Sequence, residues 1–258
     1  MNDVGGTLLG GRVQHMQGQT GHRTGIEPVL LAASIAARSG SRVLEGGTGS
    51  GAALLCLATR VPGIVGVGVE RDADQAALAR RNIQANGLGG LEIVTADLTA
   101  PDALPAGQRF DHAMANPPWH RSTGTASPDL RQEAARRASF DGLFGAWIAA
   151  LVRPLRDRGS LTLVTAAASL ADCVAALAAA GCGSVALLPL WPRPGREAKL
   201  LLLQAVKGGR GPARLLPGLV LHADGGGYTP AAESVLRHGA ALDWNAAGRN
   251  GQADSRPG

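Results

Sequence analysis

Lysine is nearly missing from this chain. Of its 25 Lys and Arg residues only Lys199 and Lys207 are lysine, so arginine carries almost all of the positive charge behind a net +5. That excess permits a polyanionic partner such as nucleic acid but does not assign one, because the same bias, with abundant Ala and Gly, follows from GC-rich coding. Cysteine is as sparse: Cys56, Cys173 and Cys182 are too few and too irregularly spaced for a disulfide framework or a CxxC metal site. A reducing compartment fits. No apolar run approaches the length of a membrane span, and no basic segment followed by an apolar stretch opens the chain, so a soluble, cytoplasmic protein is expected, with no membrane partner. Serine nucleophile elbow, P-loop lysine motif, metalloprotease helix and internal repeat are all missing. The six histidines, His15, His22, His112, His120, His222 and His238, lack metal-ligand spacing, and no metal is expected.

What is present is an alternation of short apolar strands with helical stretches. At 258 residues and 45% hydrophobic content, one main α/β domain is expected. Residues 1–25 read as a β-rich N-terminal extension, with strand-like pieces at Leu8-Leu9 and Arg12 to Gln14. The core runs over 26–208, an added strand and helix over 209–242, and a disordered tail over 243–258. Within the core, Ile26 opens a helix ending near Gly40, with Pro28 in its first turn. Ser41 to Glu45 is a strand and Ala52 to Arg60 a helix. Gly63 to Glu70 is the second strand, and Asp72 caps a helix from Ala73 to Ala85 that Asn86-Gly87 ends. Strands Leu91 to Thr95 and Phe110 to Ala115 follow. Beyond a Ser/Thr/Gly/Pro-rich loop from His120 to Asp129 come helices at Leu130 to Ala138 and Gly142 to Leu155, then strand Leu161 to Thr165 and helix Leu170 to Ala180. The strands Val185 to Leu190 and Lys199 to Val206 are joined by a segment too short for a helical crossover and should pair antiparallel. Leu215 to His222 reads as a last strand, and Thr229-Pro230 opens a last helix to about Arg237.

Each of the first four core strands ends in a polar or glycine-rich cluster, and in an open parallel sheet ligands bind beyond those carboxyl ends. After the first comes Glu45-Gly46-Gly47-Thr48-Gly49-Ser50-Gly51, in which Gly47, Gly49 and Gly51 let the backbone approach a ligand without a Cβ collision. Glu70, at the tip of the second strand, is placed to accept hydrogen bonds from two ribose hydroxyls. Glu45 can receive the amino group of a methionine moiety, directly or through water, and Asp97 can bind an adenine amine. The fourth strand delivers Asn116-Pro117-Pro118-Trp119. An exocyclic amine is a poor nucleophile because its lone pair is delocalised into the ring. The Asn116 carboxamide oxygen and the Pro117 carbonyl, each accepting one N–H, would localise that pair, and Trp119 offers a stacking face for an extruded base. Arg121, Arg131, Arg136, Arg137, Arg193 and Arg196 can form a phosphate-contacting rim, or simply a solvated face.

With these residues in view the chain resembles the class I S-adenosylmethionine-dependent methyltransferases that carry an Asn-Pro-Pro-aromatic motif, and most closely the bacterial tRNA(Val) adenine-N6 methyltransferase group. The likeness covers roughly Leu8 to Leu242 and includes Gly21 to Glu27, Val43 to Gly51, Val69-Glu70, Ala96-Asp97, Asn116 to Trp119, Leu219 to His222 and Tyr228 to Pro230. It implies a Rossmann-like seven-stranded sheet, mostly parallel with a C-terminal antiparallel hairpin. It further implies S-adenosyl-L-methionine at the glycine loop, with Thr24 and Glu27 joining the donor-binding residues, and an adenine amine of RNA, tRNA first, at Asn116. Four positions depart from the family pattern: Glu45 and Glu27 replace aspartate, Gly46 replaces an apolar residue, and Trp119 replaces tyrosine or phenylalanine. The same motif serves enzymes that methylate rRNA guanine N2 or the glutamine of release factors. Those acceptors stand as alternatives, as does a non-catalytic adapter that binds donor or RNA.

Overall fold

The computed structural model describes residues 4–18, 24–117 and 142–244. Val4–Leu8 (β1) and Val13–Gln17 (β2) pair as an antiparallel hairpin around a tight turn at Leu9–Gly11. Glu27–Ser34 (α1) leads to Arg42–Gly46 (β3), followed by Ala52–Arg60 (α2), Val65–Glu70 (β4), Ala73–Ala85 (α3), Leu91–Thr95 (β5) and Phe110–Ala115 (β6). A helix over 142–152 (α4) precedes Leu155–Ala166 (β7), Leu170–Ala179 (α5), Cys182–Trp191 (β8) and Leu200–Lys207 (β9). Two short strands, Arg214–Leu215 (β10) and Leu219–Val220 (β11), and the helix Pro230–Leu236 (α6) complete the described chain.

Seven full-length strands lie in the order β5-β4-β3-β6-β7-β9-β8, with β10 and β11 added along the free edge of β8. Only β9 runs against its neighbours, pairing antiparallel with both β7 and β8. The expected mostly parallel α/β sheet with a terminal antiparallel hairpin is therefore what forms, because eight residues between β8 and β9 cannot carry a crossover helix. The inner strands are covered on both faces, and alternate residues feed two cores. Val43, Met114, Val164 and Leu202 pack under α1, α2 and α3, whereas Leu44, Ala113, Ala115, Leu163 and Leu203 pack under α4 and α5. Each fully buried leucine among them contributes roughly 1.5–3 kcal/mol by leaving water.

Local rules account for several boundaries. Asp72 caps α3 by accepting from the amides of Asp74 and Gln75, and Gly87 at φ +65° closes its other end. Thr229 accepts from the Ala232 amide, with Pro230 at the first turn of α6.

The structure corrects three boundaries. α1 stops at Ser34 instead of running to Gly40, because distant groups claim its terminal carbonyls: Arg60 takes those of Ala32 and Ile35, the Leu242 amide takes Ala33, and the Trp244 indole takes Ser34. β7 begins at Leu155, six residues earlier than Leu161. Buried Leu155 pairs with Phe110, and the polar Arg156 to Gly159 is absorbed as a bulge with Arg158 at φ +65°. Leu215 to His222 is two strands, since Gly218 turns at φ +85° where a Cβ would lie 2.3 Å from the Pro189 carbonyl oxygen. The loop His120 to Asp129, the helix Leu130 to Ala138 and residues 245–258 of the expected tail lie outside the described residues, whereas Trp244, expected in that disordered tail, is buried with its indole donating to the Ser34 carbonyl. Among the described residues no helix is long and apolar enough to cross a membrane.

Candidate functional site

Strand register brings the sequence clusters together. Gly46 is paired with Ala115 of β6 on one side and Val69 of β4 on the other, and Glu70 is paired with Thr95 of β5. Asn116, the glycine loop, Glu70 and Asp97 thus leave one edge of the sheet within about two residues of the same level, on four adjacent strands.

The loop itself turns on left-handed glycines. Gly47, Gly49 and Gly51 have φ of 62°, 54° and 88°, a region that a side chain would strain. Their surroundings differ. A Cβ on Gly47 would lie 3.0 Å from the Trp147 ring of α4, and one on Gly51 would lie 3.4 Å from Ala79 of α3, whereas one on Gly49 would meet nothing within 4 Å. The loop is therefore packed at both ends and open at its middle, the shape of a cradle for a ligand. The amides of Gly47 and Thr48 bond to the Val69 carbonyl, and the Gly49 amide bonds to the Glu70 carboxylate at 2.9 Å. The other Glu70 oxygen accepts from the Asp72 amide at 2.9 Å. Glu70 consequently joins the loop to the tip of β4, half-buried at the mouth of the cradle.

Asp97 stands exposed past β5. Its Oδ1 accepts from both the amide and the hydroxyl of Thr99, and those bonds, the backbone one first, hold its carboxyl below the usual range.

Glu45 takes a different position. Pleating sends it to the helix-α2 side of the sheet, where it is 4% exposed and accepts a 2.6 Å hydrogen bond from the Thr48 hydroxyl. Burial pushes its pKa up to about 8, against the pull of the Thr48 and Leu54 hydrogen bonds and with a smaller push from Glu70. Burial thus favours the protonated carboxyl beneath the loop. Gly46 points to the opposite face, where a Cβ would lie 2.7 Å from Leu98 and 3.0 Å from Leu151. Glycine fits where the family pattern has an apolar residue because those two leucines already fill the space.

Asn116 is exposed at the end of β6 and Pro117 is buried beside it, while Trp119, His120, Arg121, Arg131, Arg136 and Arg137 lie outside the described residues. Arg193 and Arg196 sit exposed on the β8–β9 connection. Glu27 opens α1, half-buried, and the Thr24 amide bonds to the Gln17 side chain at 3.0 Å.

Sequence reading assigned no site role to three residues that touch the loop, Trp147, His15 and Asn82, the last two through Ser50. Trp147 shares a helical stripe with Phe144, Ile148 and Leu151, and so reads as core until Gly47 is seen beneath it. The available signal for Asn82 was its spacing to Asn86, two amides one helical turn apart. Cys56, Cys173 and Cys182 are buried free thiols, and burial pushes Cys56 up to about 12 and Cys173 up to about 11.

Residues 26–172 match the Methyltransferase small domain family. The release factor glutamine methyltransferase of Escherichia coli is 38% identical over 105 residues, covering 41% of this chain and 36% of that enzyme. The tRNA1(Val) (adenine(37)-N6)-methyltransferase of Actinobacillus succinogenes is 29% identical over 145 residues, covering 55% of this chain and 60% of its own length. These matches thus span between about a third and three fifths of the curated relatives. Among solved structures, a predicted O-methyltransferase from Agrobacterium tumefaciens superposes with a TM-score of 0.68 at 28% identity, covering 84% of this chain and 98% of its own. With its parallel sheet, its terminal antiparallel strand and its glycine loop at the carboxyl edge, the chain belongs to the Methyltransferase small domain family, within the class I S-adenosylmethionine-dependent methyltransferases.

Proposed function

We propose that this chain is an N-methyltransferase that acts on the exocyclic N6 amine of adenine in structured RNA, tRNA first. The observation that carries the reading is the exit of Asn116 beside Gly47 on neighbouring strands, about 5 Å apart by strand spacing, with Pro117 buried immediately behind it. The donor set of the cradle suits S-adenosylmethionine: the open Gly49, the Glu70 carboxylate at its mouth and the exposed Asp97 match a nucleoside in polarity, and Glu45 lies below the loop on the side of Thr48. When bound, that cofactor supplies an electrophilic methyl group on a sulfonium.

The chain's own work is then placement and hydrogen bonding. Asn116 Oδ1 accepts one N–H of the acceptor amine and the Pro117 carbonyl accepts the other. With both protons held in the plane of the base, the nitrogen lone pair is directed out of it, toward the loop. Proline suits the second role, since its ring fixes φ and narrows the backbone conformations from which the carbonyl is presented. Trp119 supplies the face on which the extruded base stacks. After transfer the amine sheds a proton to water at the exposed Asn116 edge.

The tRNA assignment is supported by the longer reach of the likeness to the tRNA enzyme, 55% of this chain against 41% for the release-factor enzyme, and by the net charge of +5. A glutamine acceptor is the second reading, favoured by the higher identity of that shorter match. Incubation with labelled donor and either unmodified tRNA or a release-factor peptide, followed by digestion, separates them. Label in N6-methyladenosine is expected; label in glutamine or guanosine overturns the adenine assignment.

A further inference from the structure

The free edge of β2 is zipped onto α3 by two side-chain amides. Asn86 Oδ1 accepts from the Gln14 amide at 2.9 Å while its Nδ2 donates to the Gln14 carbonyl at 2.7 Å. Asn82 repeats the pattern on Met16, at 2.9 Å in both directions. The fit follows from the two periods: four residues of helix rise about 6 Å and two residues of strand about 6.8 Å, so amides one turn apart meet alternate residues of a strand. Each asparagine thereby replaces a missing strand partner and satisfies backbone that β1 cannot reach.

Asn82 does more than Asn86. It is fully buried, and its second Nδ2 hydrogen goes to the carbonyl of Ser50, between Gly49 and Gly51 of the glycine loop, at 2.9 Å. The Ser50 hydroxyl is in turn 2.8 Å from Nε2 of His15, which is 2% exposed on β2. Burial lowers the pKa of His15, which favours the uncharged ring as the hydrogen-bonding partner of Ser50. From the same strand, Gln17 accepts from the Thr24 amide. Ser50, Asn82, Met16, Gln17 and Thr24 form one connected path from the loop to the segment that opens α1.

We propose that the β1–β2 hairpin is a working part of the donor site, in which His15 and Asn82 are positioning residues that hold Ser50 and so set the open conformation of the loop at Gly49 for the nucleoside ligand. This rests on the reading that the loop binds S-adenosylmethionine. An unheld Ser50 lets the three left-handed glycines sample other conformations, and the ligand then bears the cost of ordering them.

The test is calorimetry with S-adenosylhomocysteine on the full chain. His15→Phe keeps ring volume and removes Nε2; Ser50→Ala removes the hydroxyl. Each should weaken binding about tenfold, the equivalent of one buried hydrogen bond, and the double variant should be no weaker than either single one. Asn86→Ala removes the outer pair of bonds to Gln14 and leaves the Asn82–Met16, Asn82–Ser50 and His15–Ser50 bonds in place, so it should lower Tm while leaving Kd within about twofold. In turnover, KM for the donor should rise in His15→Phe with kcat retained. Wild-type binding that is unchanged in folded His15→Phe or Ser50→Ala overturns the proposal, as does equal weakening by Asn86→Ala or full additivity in the double variant. Absence of binding in the wild type overturns the donor reading itself.

Discussion

Asn116 and Gly47 leave the sheet side by side, each one residue past the register pair Ala115 and Gly46 on adjacent parallel strands. On the proposed function, a group held at the Asn116 carboxamide would therefore lie beside a ligand held by the loop. That adjacency separates variants that disturb the donor from those that disturb the acceptor.

Replacing Asn116 by Ala removes one of the two acceptors assigned to the amine. Turnover should fall at least about a hundredfold while affinity for S-adenosylhomocysteine stays within about threefold, as measured by single-turnover kinetics and calorimetry. Wild-type turnover in this variant would defeat the role given to the carboxamide.

Glu70→Ala should do the reverse. It takes a carboxylate from the Gly49 and Asp72 amides and from the proposed ribose contact. Donor-product affinity should drop at least about tenfold, and saturating donor should restore much of kcat. A fall in kcat that added donor does not relieve would place Glu70 elsewhere in the reaction.

Glu45 supplies a pH signature. Its carboxyl ionises in the folded chain only at about pH 8, above its ordinary 4.5, so its contribution to stability is fully present below the unfolded value and is lost as pH rises toward 8. Glu45→Gln can still accept from Thr48 and has no proton to release. Its Tm relative to wild type should climb between pH 5 and 8, and superimposable pH profiles would mean that Glu45 is ionised in the folded protein.

Gly46→Val should overfill the site beneath Leu98 and Leu151 and cost about 1–3 kcal/mol in urea unfolding. In a Leu98→Ala background the same substitution should cost less, because the nearer of the two contacts is gone while that with Leu151 remains. Equal costs in the two backgrounds would mean that the contact is relieved by backbone movement instead.

Binding to tRNA should weaken at least about tenfold between roughly 50 and 200 mM salt, as release of counterions from a few phosphate contacts requires. A salt-insensitive complex would argue against arginine-driven RNA contact.

Where a boundary depends on neighbouring residues, the sequence was legible. α2, α3, β5 and β6 fall at Ala52–Arg60, Ala73–Ala85, Leu91–Thr95 and Phe110–Ala115 because their caps, turn glycines and apolar runs lie within a few residues. Where it depends on a distant partner, it was not. The end of α1 is decided by Arg60, Leu242 and Trp244, and the last of these is 210 residues away from Ser34.

The same division holds for the site. Sequence alone determined that a glycine loop, two strand-end carboxylates and an Asn-Pro pair would share the carboxyl edge of a parallel sheet, because strand order of that kind follows from βαβ alternation and the chemistry travels with the strand ends. Tertiary structure decided how the loop is held. Trp147 seals one side of it, Asn82 and His15 brace Ser50 from the other, and Glu45 turns beneath it into the core, where burial favours its protonated form. Glu45 bonds locally to Thr48, but its burial and the contacts of Trp147, Asn82 and His15 join segments far apart in the chain, and these exist only once the chain has closed on itself.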